Sequence, residues 1–277
     1  MTVGQEFHAF AASLQSEIQL LKDAEKYLYA VNMGATAIGT GINVPRGYPE
    51  KCAAHLAKLT GKPIVPASDM LAATWDQQGF VVYSAALRSV AIKLSKIAND
   101  LILLTSGPRA GLFEINLPAL QPGSSIMPGK VNPVIPELIN LIAFRVIGND
   151  YSVSLAGTHG QLQLNAYEPI EGLAIIESQS LLYRGSIAFR SKCVDGITVN
   201  EKVLQHNMET TVGIVTALNP ILGYEKATEL AAEAYKTNKG ILEIIREKKL
   251  LTEQQINELL DPAKLTGLDK SQYVKKD

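Results

Sequence analysis

Apolar residues recur at steps of three and four along several stretches of more than twenty residues, and this period constrains the fold more than any other feature. From Thr2 onward the stripe contains Phe7, Phe10, Leu14, Ile18, Leu21 and Leu28. Because this spacing places side chains on one face, it predicts a long amphipathic helix. Thr2 and Gln5 have the spacing of a capping box at its start. No alternating strand pattern longer than a few residues and no long repeat competes, so the predicted fold class is all-α.

Three more long helices are predicted. The second begins at Ser68 or Asp69 and ends before Gly107-Pro108, with a stripe that contains Leu87, Ala91, Leu94, Ile97, Leu101 and Leu104. The third begins at Asn132-Pro133, since proline is tolerated at the first helical position. It is expected to direct four apolar residues inward, namely Leu138, Leu141, Ile142 and Val146. The fourth runs from about Pro169 to Cys193. Helices of this length favour a bundle.

Shorter helices are predicted after Gly196, where glycine and proline signals become closely spaced. Their expected ranges are Asn200 to Asn219, Tyr224 to Thr237, Gly240 to Lys248 and Thr252 to Leu260. We therefore predict two domains. Residues 1–195 form a central helical bundle that carries a loop at 121–132. Residues 196–277 form a small helical domain that ends in a polar tail from Thr266 onward.

Composition excludes several classes of function. Lys and Arg total 26 against 27 Asp and Glu, a net charge of −1 that argues against nucleic-acid binding. Charged residues make up 19% of the chain, below the roughly 25% usual for globular domains, which favours a homo-oligomer. Cys52 and Cys193 fit no metal spacing and indicate a reducing compartment. With no membrane-length apolar run and no signal peptide at the first residues, we expect a cytoplasmic protein without membrane partners.

The segment from Gln121 to Pro133 carries the clearest chemical pattern. Two pairs of Gly and Pro bracket serine hydroxyls, and Lys130 and Asn132 follow just before a predicted helix. A cation and an amide at a helix N-terminus favour an anion such as a substrate carboxylate. The glycines would let the loop close over that ligand and bring a hydroxyl near a C–H bond. An ordinary interhelical linker with a solvated lysine fits these features equally well.

The sequence GSSIMPGKVNP at 123–133 resembles the characteristic motif of the fumarase/aspartase superfamily of lyases. Other segments that share the resemblance are GATAIGTGIN at 34–43, SGPR at 106–109 and GND at 148–150. Within the superfamily, PVIPE at 133–137 and GQLQLN at 160–165 are more similar to aspartate ammonia-lyases than to class II fumarate hydratases. The resemblance implies elimination of ammonia from L-aspartate to give fumarate, a homotetramer with a shared helical core, and no cofactor or metal.

The resemblance also implies roles for residues of the loop. Ser124 would be the general base that abstracts the C3 proton of the substrate. Ser125 and backbone N–H groups would stabilise its oxyanion. Lys130 and Asn132 would bind a substrate carboxylate.

Two further residues would support the site. Glu137 would bond a histidine from another segment, although an acid that the helix dipole favours is an equal interpretation. Leu164, with Gln163 and Asn165 beside it, would border the substrate, and core packing is the alternative for this leucine. Arg109, Arg145, His8, His55 and His206 are interpreted as structural or surface residues.

The sequence departs from the superfamily in one respect. The family builds each site from three segments of different subunits, and this chain contains the serine loop but neither a Ser-Ser-Asn-Asp tetrad nor a Thr-His-x-x-Asp-Ala segment. Thr158-His159 imitates the second motif only superficially. We expect the N-terminal part of the family chain and the first helix of its five-helix bundle to be absent here. Two alternatives stay open: a class II fumarate hydratase, and a non-catalytic helical fragment that oligomerises or needs an N-terminal partner.

Overall fold

Helices dominate the computed structural model, which describes residues 1–121, 126–127 and 129–267. In chain order the α-helices of these residues are α1 Val3–Glu25, α2 Tyr48–Thr60, α3 Gln78–Leu104, α4 Val134–Thr158, α5 Glu168–Lys192, α6 Glu201–Thr210, α7 Val215–Leu222, α8 Tyr224–Thr237, α9 Ile241–Glu247, α10 Glu253–Leu259 and α11 Pro262–Leu265. Four strands of two residues each accompany them: β1 Ala30–Val31, β2 Val65–Pro66, β3 Ile115–Asn116 and β4 Thr198–Val199. The all-α prediction is confirmed.

The chain divides into two compact units. The bundle unit comprises Ala11–Thr105 and Leu117–Ile197. The second unit combines Met1–Phe10 and Ser106–Asn116 with the residues from Thr198 onward. The first ten residues and the segment 106–116 thus group with C-terminal residues, whereas the sequence prediction placed them with the bundle. The domain division after residue 195 stays a prediction.

In the bundle unit, α4 packs against α3 on one side and α5 on the other. The buried residues between them are Leu87, Ala91, Leu94, Ile97 and Leu101 of α3, Ile139, Ile142, Ala143 and Val146 of α4, and Leu182 and Phe189 of α5. Gly185 lets α5 approach closely, because a Cβ there would lie 2.6 Å from Cδ1 of Ile142. The predicted stripe of α3 is therefore confirmed from Leu87 to Leu101.

Helix α4, the third of the predicted long helices, exposes two residues that were predicted to face inward. Leu141 is 64% exposed and Leu138 is 37% exposed in this chain, whereas Ile142 and Val146 are buried as predicted. The prediction for Leu138 and Leu141 is wrong for a physical reason. The helix is apolar on nearly all sides, so its pattern does not single out one face.

Helix α3, the second of the predicted long helices, begins at Gln78, about ten residues later than predicted. The carboxylate of Asp69 accepts hydrogen bonds from the N–H groups of Leu71 and Ala72, at 2.9 and 3.0 Å, and so starts a separate 3₁₀ turn at Ala72–Thr74. Asp76 then accepts from the N–H of Gln78 at 3.0 Å. Asp69 and Asp76 are thus two successive helix-start signals, and the sequence prediction placed the start of the helix at the first one.

The second unit has its own apolar core, which contains Leu218, Leu230, Ile241, Leu242, Ile244, Ile245 and Ile256. The predicted helix from Asn200 to Asn219 is two helices, because Thr211 is extended and its hydroxyl accepts from the N–H of Gly213 at 3.2 Å. At the start of α1, the predicted capping box is confirmed. Thr2 Oγ1 accepts from the N–H of Gln5 at 3.1 Å, and Gln5 Oε1 accepts from the N–H of Thr2 at 2.9 Å.

No α-helix in the described ranges combines the length and hydropathy that a membrane crossing requires. The predicted polar tail lies outside the described residues from 268 onward.

Candidate functional site

The described part of the serine loop leads directly into α4. Lys130 is exposed, and its backbone N–H donates to the carbonyl of Met127 at 3.2 Å. Asn132 is half-buried, and its carbonyl accepts from the N–H of Val134 at 2.9 Å. Lys130 and Asn132 therefore come four and two residues before the helix begins, where the positive end of the helix dipole favours an anion. Ser124 and Ser125, the predicted base and its neighbour, lie outside the described residues.

Glu137 lies in the first turn of α4 and is exposed. Its backbone N–H donates to the carbonyl of Pro133 at 3.1 Å. An acid in this position is stabilised by the positive end of the helix dipole. Its predicted role as the partner of a histidine concerns a segment outside this chain and stays a prediction.

The segment GQLQLN forms a tight turn after the other end of α4. Gln161 and Leu164 exchange backbone hydrogen bonds of 3.0 and 3.2 Å. Asn165 is buried and fixes the turn: its Nδ2 donates to the carbonyl of Ala156 at 2.9 Å, and its Oδ1 accepts from the N–H of Tyr167 at 2.8 Å. Leu164 is 55% exposed in this chain, so it does not pack in the core of a single chain.

The structure does not bring all the predicted site residues together within one chain. Lys130, Asn132 and Glu137 lie at the start of α4, and Leu164 lies beyond its end. A helix of 25 residues is about 37 Å long at about 1.5 Å per residue. A ligand of the size of an amino acid cannot contact both ends of one α4. Any site that contains both Lys130 and Leu164 must combine different copies of the chain.

The GND segment has a structural role that the resemblance alone did not explain. Asp150 is buried on α4, where it accepts from the hydroxyl of Ser84 at 2.8 Å and from Nη1 of Arg88 at 2.6 Å. Asn149 is buried beside it, and its Nδ2 donates to Glu177 at 2.8 Å and to the hydroxyl of Ser178 at 3.1 Å. These bonds connect α4 to α3 and α5.

Arg145 is a structural residue, as predicted. Its Nε donates to Glu177 Oε2 at 3.0 Å across α4 and α5. Hydrogen bonds from Asn149 and then from Arg145 lower the pKa of Glu177 below its ordinary value. The Arg145 side chain therefore belongs to the packing of the bundle.

Sequence reasoning missed one titratable residue. Glu171 is completely buried in α5, and burial raises its pKa to about 7, with a smaller contribution from the Glu168 carboxylate. A signal for it exists in the sequence. Glu171 shares the helical period of the buried residues Ala174, Ser178 and Leu182, so an acid on that stripe is exceptional.

Among the described residues, no group of three or more His, Cys, Asp or Glu side chains is arranged to hold a metal ion.

Cys193 is buried, and burial raises the pKa of its thiol to about 11. Nδ1 of His159 donates to the carbonyl of Leu155 at 2.7 Å, because a carbonyl can only accept. The surroundings of Cys193 and His159 indicate structural roles for both residues.

Comparison with known families identifies the chain. A family model described as lyase matches residues 1–148, and a model described as the C-terminus of fumarase C matches residues 214–267. The chain belongs to the fumarase/aspartase superfamily of lyases. Recognition of this superfamily from the serine loop is thereby confirmed.

Individual members of the superfamily match most of this chain. An aspartate ammonia-lyase from Pseudomonas aeruginosa is 51% identical over 263 residues, which are 95% of this chain and 56% of that protein. The crystal structure of a fumarate lyase:delta crystallin from Brucella melitensis is 44% identical with a TM-score of 0.90, covering 96% of this chain and 57% of that chain. A class II fumarase from Schistosoma mansoni is 32% identical with a TM-score of 0.88, covering 95% and 58%. The chain spans about half the length of the relatives it matches.

Proposed function

We propose that the protein is an aspartate ammonia-lyase, a carbon-nitrogen lyase that eliminates ammonia from L-aspartate to give fumarate. The observation that carries the proposal is the identity of 51% to an aspartate ammonia-lyase over 95% of the chain, against 32% to a class II fumarase. The GQLQLN and PVIPE segments favour the same branch. The fumarate hydratase and the non-catalytic fragment are the alternatives that the experiment below distinguishes.

In the proposed reaction, Ser124 acts as the base. Its ionised Oγ takes the proton from C3 of L-aspartate, and the electron pair of the C–H bond moves into the neighbouring carboxylate to form an aci-carboxylate. That pair then forms the C2–C3 double bond while the C–N bond breaks, and nitrogen leaves with its electrons. Ser125 and loop N–H groups stabilise the serine oxyanion, and Lys130 and Asn132 bind the substrate carboxylate.

The proposed enzyme is a homotetramer. The separation of Lys130 and Leu164 by the length of α4 supports a site that copies of the chain share. Helices α4 and α5 of the bundle unit also expose large apolar side chains, including Leu141, Phe144 and Tyr151 of α4 and Leu173, Ile176 and Tyr183 of α5. Burial of such side chains against other copies is favourable by about 25 cal/mol per Å². A cytoplasmic location and a requirement for further segments of the family site complete the proposal.

A chimera tests this function. This chain replaces the matching 263 residues of the Pseudomonas aeruginosa relative, so that all three family segments are present. Fumarate formation is followed by ultraviolet absorbance with L-aspartate and L-malate in parallel. We expect turnover of L-aspartate alone, its loss in Ser124→Ala, and its retention in Ser16→Ala, which changes an exposed serine of α1. Turnover of L-malate would support the fumarate hydratase, and a folded tetramer inert toward both would support the non-catalytic alternative.

A further inference from the structure

A carboxyl group lies inside the bundle unit where the beginnings of α3 and α5 meet the end of α4. Glu171 is completely buried, and neither of its carboxyl oxygens has a hydrogen-bond partner among the described residues. A Cβ at Gly157 would lie 3.8 Å from Oε1 of Glu171 and 3.8 Å from Cβ of Gln77. The carboxyl group, the Gln77 side chain and the α4 backbone are therefore neighbours.

Gln77 is also buried and half satisfied. Its Nε2 donates to Oε1 of Glu168 at 3.1 Å, while its Oε1 has no partner among the described residues. An ionised carboxylate and an amide oxygen are both acceptors, so they cannot satisfy each other. A protonated carboxyl group has an O–H donor. Because unpaired buried polar atoms are costly, one proton on Glu171 would satisfy two groups at once.

We propose that Glu171 is a proton-dependent clasp, whose neutral carboxyl group donates its O–H to Oε1 of Gln77 and connects the start of α5 to the residue that precedes α3. The hydrogen-bonded series then runs from Glu171 through Gln77 to Glu168. Loss of the proton to solvent leaves two buried acceptors, the Glu171 carboxylate and Oε1 of Gln77, without a donor between them, and so loosens the start of α5 against the start of α3. The inference concerns the fold and does not depend on the proposed lyase activity.

Among the described residues, the charged group that acts on Glu171 is the Glu168 carboxylate, which raises the pKa of Glu171 in addition to the larger effect of burial. Gln77, the residue before α3, lies near Glu171, and a methyl group of Val81 in α3 lies beside Gly157 of α4. The next buried acid along α4, Asp150, is seven residues earlier and is bound by Ser84 and Arg88. None of these contacts supplies a cation that would favour the ionised form.

The pH dependence follows from the two pKa values of Glu171, about 7 in the folded chain against an ordinary 4.5. Between these values the folded state keeps a proton that the unfolded or open state has lost. Stability of this end therefore falls as pH rises through the interval, and the opening equilibrium constant rises by up to about tenfold per pH unit. Below the lower value and above the upper value the dependence disappears.

Carboxyl titration in the 277-residue chain, with ¹³C-labelled glutamate followed by NMR, tests the proposal directly. We expect one glutamate to titrate near pH 7, in agreement with the upper value. That signal should be absent in Glu171→Gln, shifted to lower pH in Glu168→Gln because a like charge is removed, and unchanged in Glu229→Gln on the exposed face of α8. A wild-type chain in which every glutamate titrates below about pH 6 would overturn the proposal.

Amide hydrogen exchange tests the clasp itself. After correction for the intrinsic rate, opening of the first two turns of α5 should increase with pH in the wild-type chain. Glu171→Gln keeps the size and a donor but cannot ionise, so its exchange should be nearly independent of pH. Amides of α8 serve as the internal reference. Equal pH dependence in Glu171→Gln and wild type would show that another group controls this end.

Discussion

Lys130 is a residue whose position in the chain determines what it can bind. It precedes α4 by four residues, and its charge adds to that of the helix N-terminus. A flexible, hydrated ammonium group needs such a fixed electrostatic partner to hold a carboxylate in one place. In the described structure this partner is the positive end of the α4 helix dipole.

Replacement of this lysine is predicted to affect turnover. In the chimera, Lys130→Ala should lower the turnover of L-aspartate by at least about 10² to 10³-fold, the typical effect of removing one stabilising donor. Lys58→Ala, which changes an exposed lysine on α2, should leave the rate near that of the parent. Steady-state kinetics measure both. A loss of less than tenfold in Lys130→Ala would refute the assigned role.

Asp150 supports the bundle through its bonds to Ser84 and Arg88. We expect Asp150→Ala to lower the free energy of unfolding of the chain by about 2 kcal/mol, because hydrogen bonds to a charged group are worth about 1.5–3 kcal/mol. Asp195→Ala removes an exposed ion pair with Arg190 and should cost less than about 1 kcal/mol. Urea unfolding followed by circular dichroism compares them. Equal effects would contradict a structural role for the GND segment.

At the residue scale, the order of glycine, proline and charge in the serine loop led to the prediction that Lys130 and Asn132 bind a carboxylate, and this role stays a prediction. Glu171 was missed because a glutamate in a helix ordinarily faces solvent, although it shares the helical period of the buried residues Ala174 and Ser178. The sequence placed Leu164 at the border of the substrate, and the structure exposes this leucine in a turn that a hydrogen bond from Asn165 to Ala156 positions.

Helix boundaries depend on side-chain bonds that differ little in sequence. Asp69 and Asp76 are both good helix-start residues, but only the second is followed by a continuous helix. The starts of the long helices α1, α4 and α5 were predicted within about two residues, because their apolar period and start signals agree. Where the pattern is apolar all round, as in α4, the sequence predicts the element and leaves its buried face open.

Two glycines in long helices should respond oppositely to the same substitution. A Cβ at Gly79 of α3 would lie 2.7 Å from the carbonyl oxygen of Tyr27, so Gly79→Ala should destabilise the chain by about 1–3 kcal/mol through overpacking. A Cβ at Gly148 of α4 meets no atom within 4 Å, so Gly148→Ala should stabilise the helix by about 0.5–1 kcal/mol. Thermal and urea unfolding measure both. The same sign for both variants would show that helix propensity outweighs packing here.

At the scale of the whole molecule, the single chain exposes many large apolar side chains. With 47% hydrophobic and 19% charged residues, the sequence predicted association, and the exposed faces of α4 and α5 show where that surface lies. The position of the site could not be predicted in the same way. The predicted site residues lie at opposite ends of α4, and the sequence alone does not show how residues so far apart in one chain could meet.

Association of the chimera should depend on the exposed face of α4. Phe144 is 63% exposed there, and Phe144→Glu should convert the proposed tetramer into smaller species, because each buried charge would need a partner. Tyr235→Glu on α8, at a position that is 88% exposed, should leave the mass unchanged. Light scattering after size-exclusion chromatography measures the mass. A tetramer that survives Phe144→Glu would place the interface on another surface.

The most direct test of the proposed lyase runs the reaction in reverse. The chimera is given fumarate and ammonium in D₂O, and the products are identified by NMR. We expect L-aspartate with one deuterium at C3, because the base returns a solvent-derived deuteron to that carbon as nitrogen adds to C2. Deuterated malate, or no product from a folded tetramer, would contradict the assignment as an aspartate ammonia-lyase.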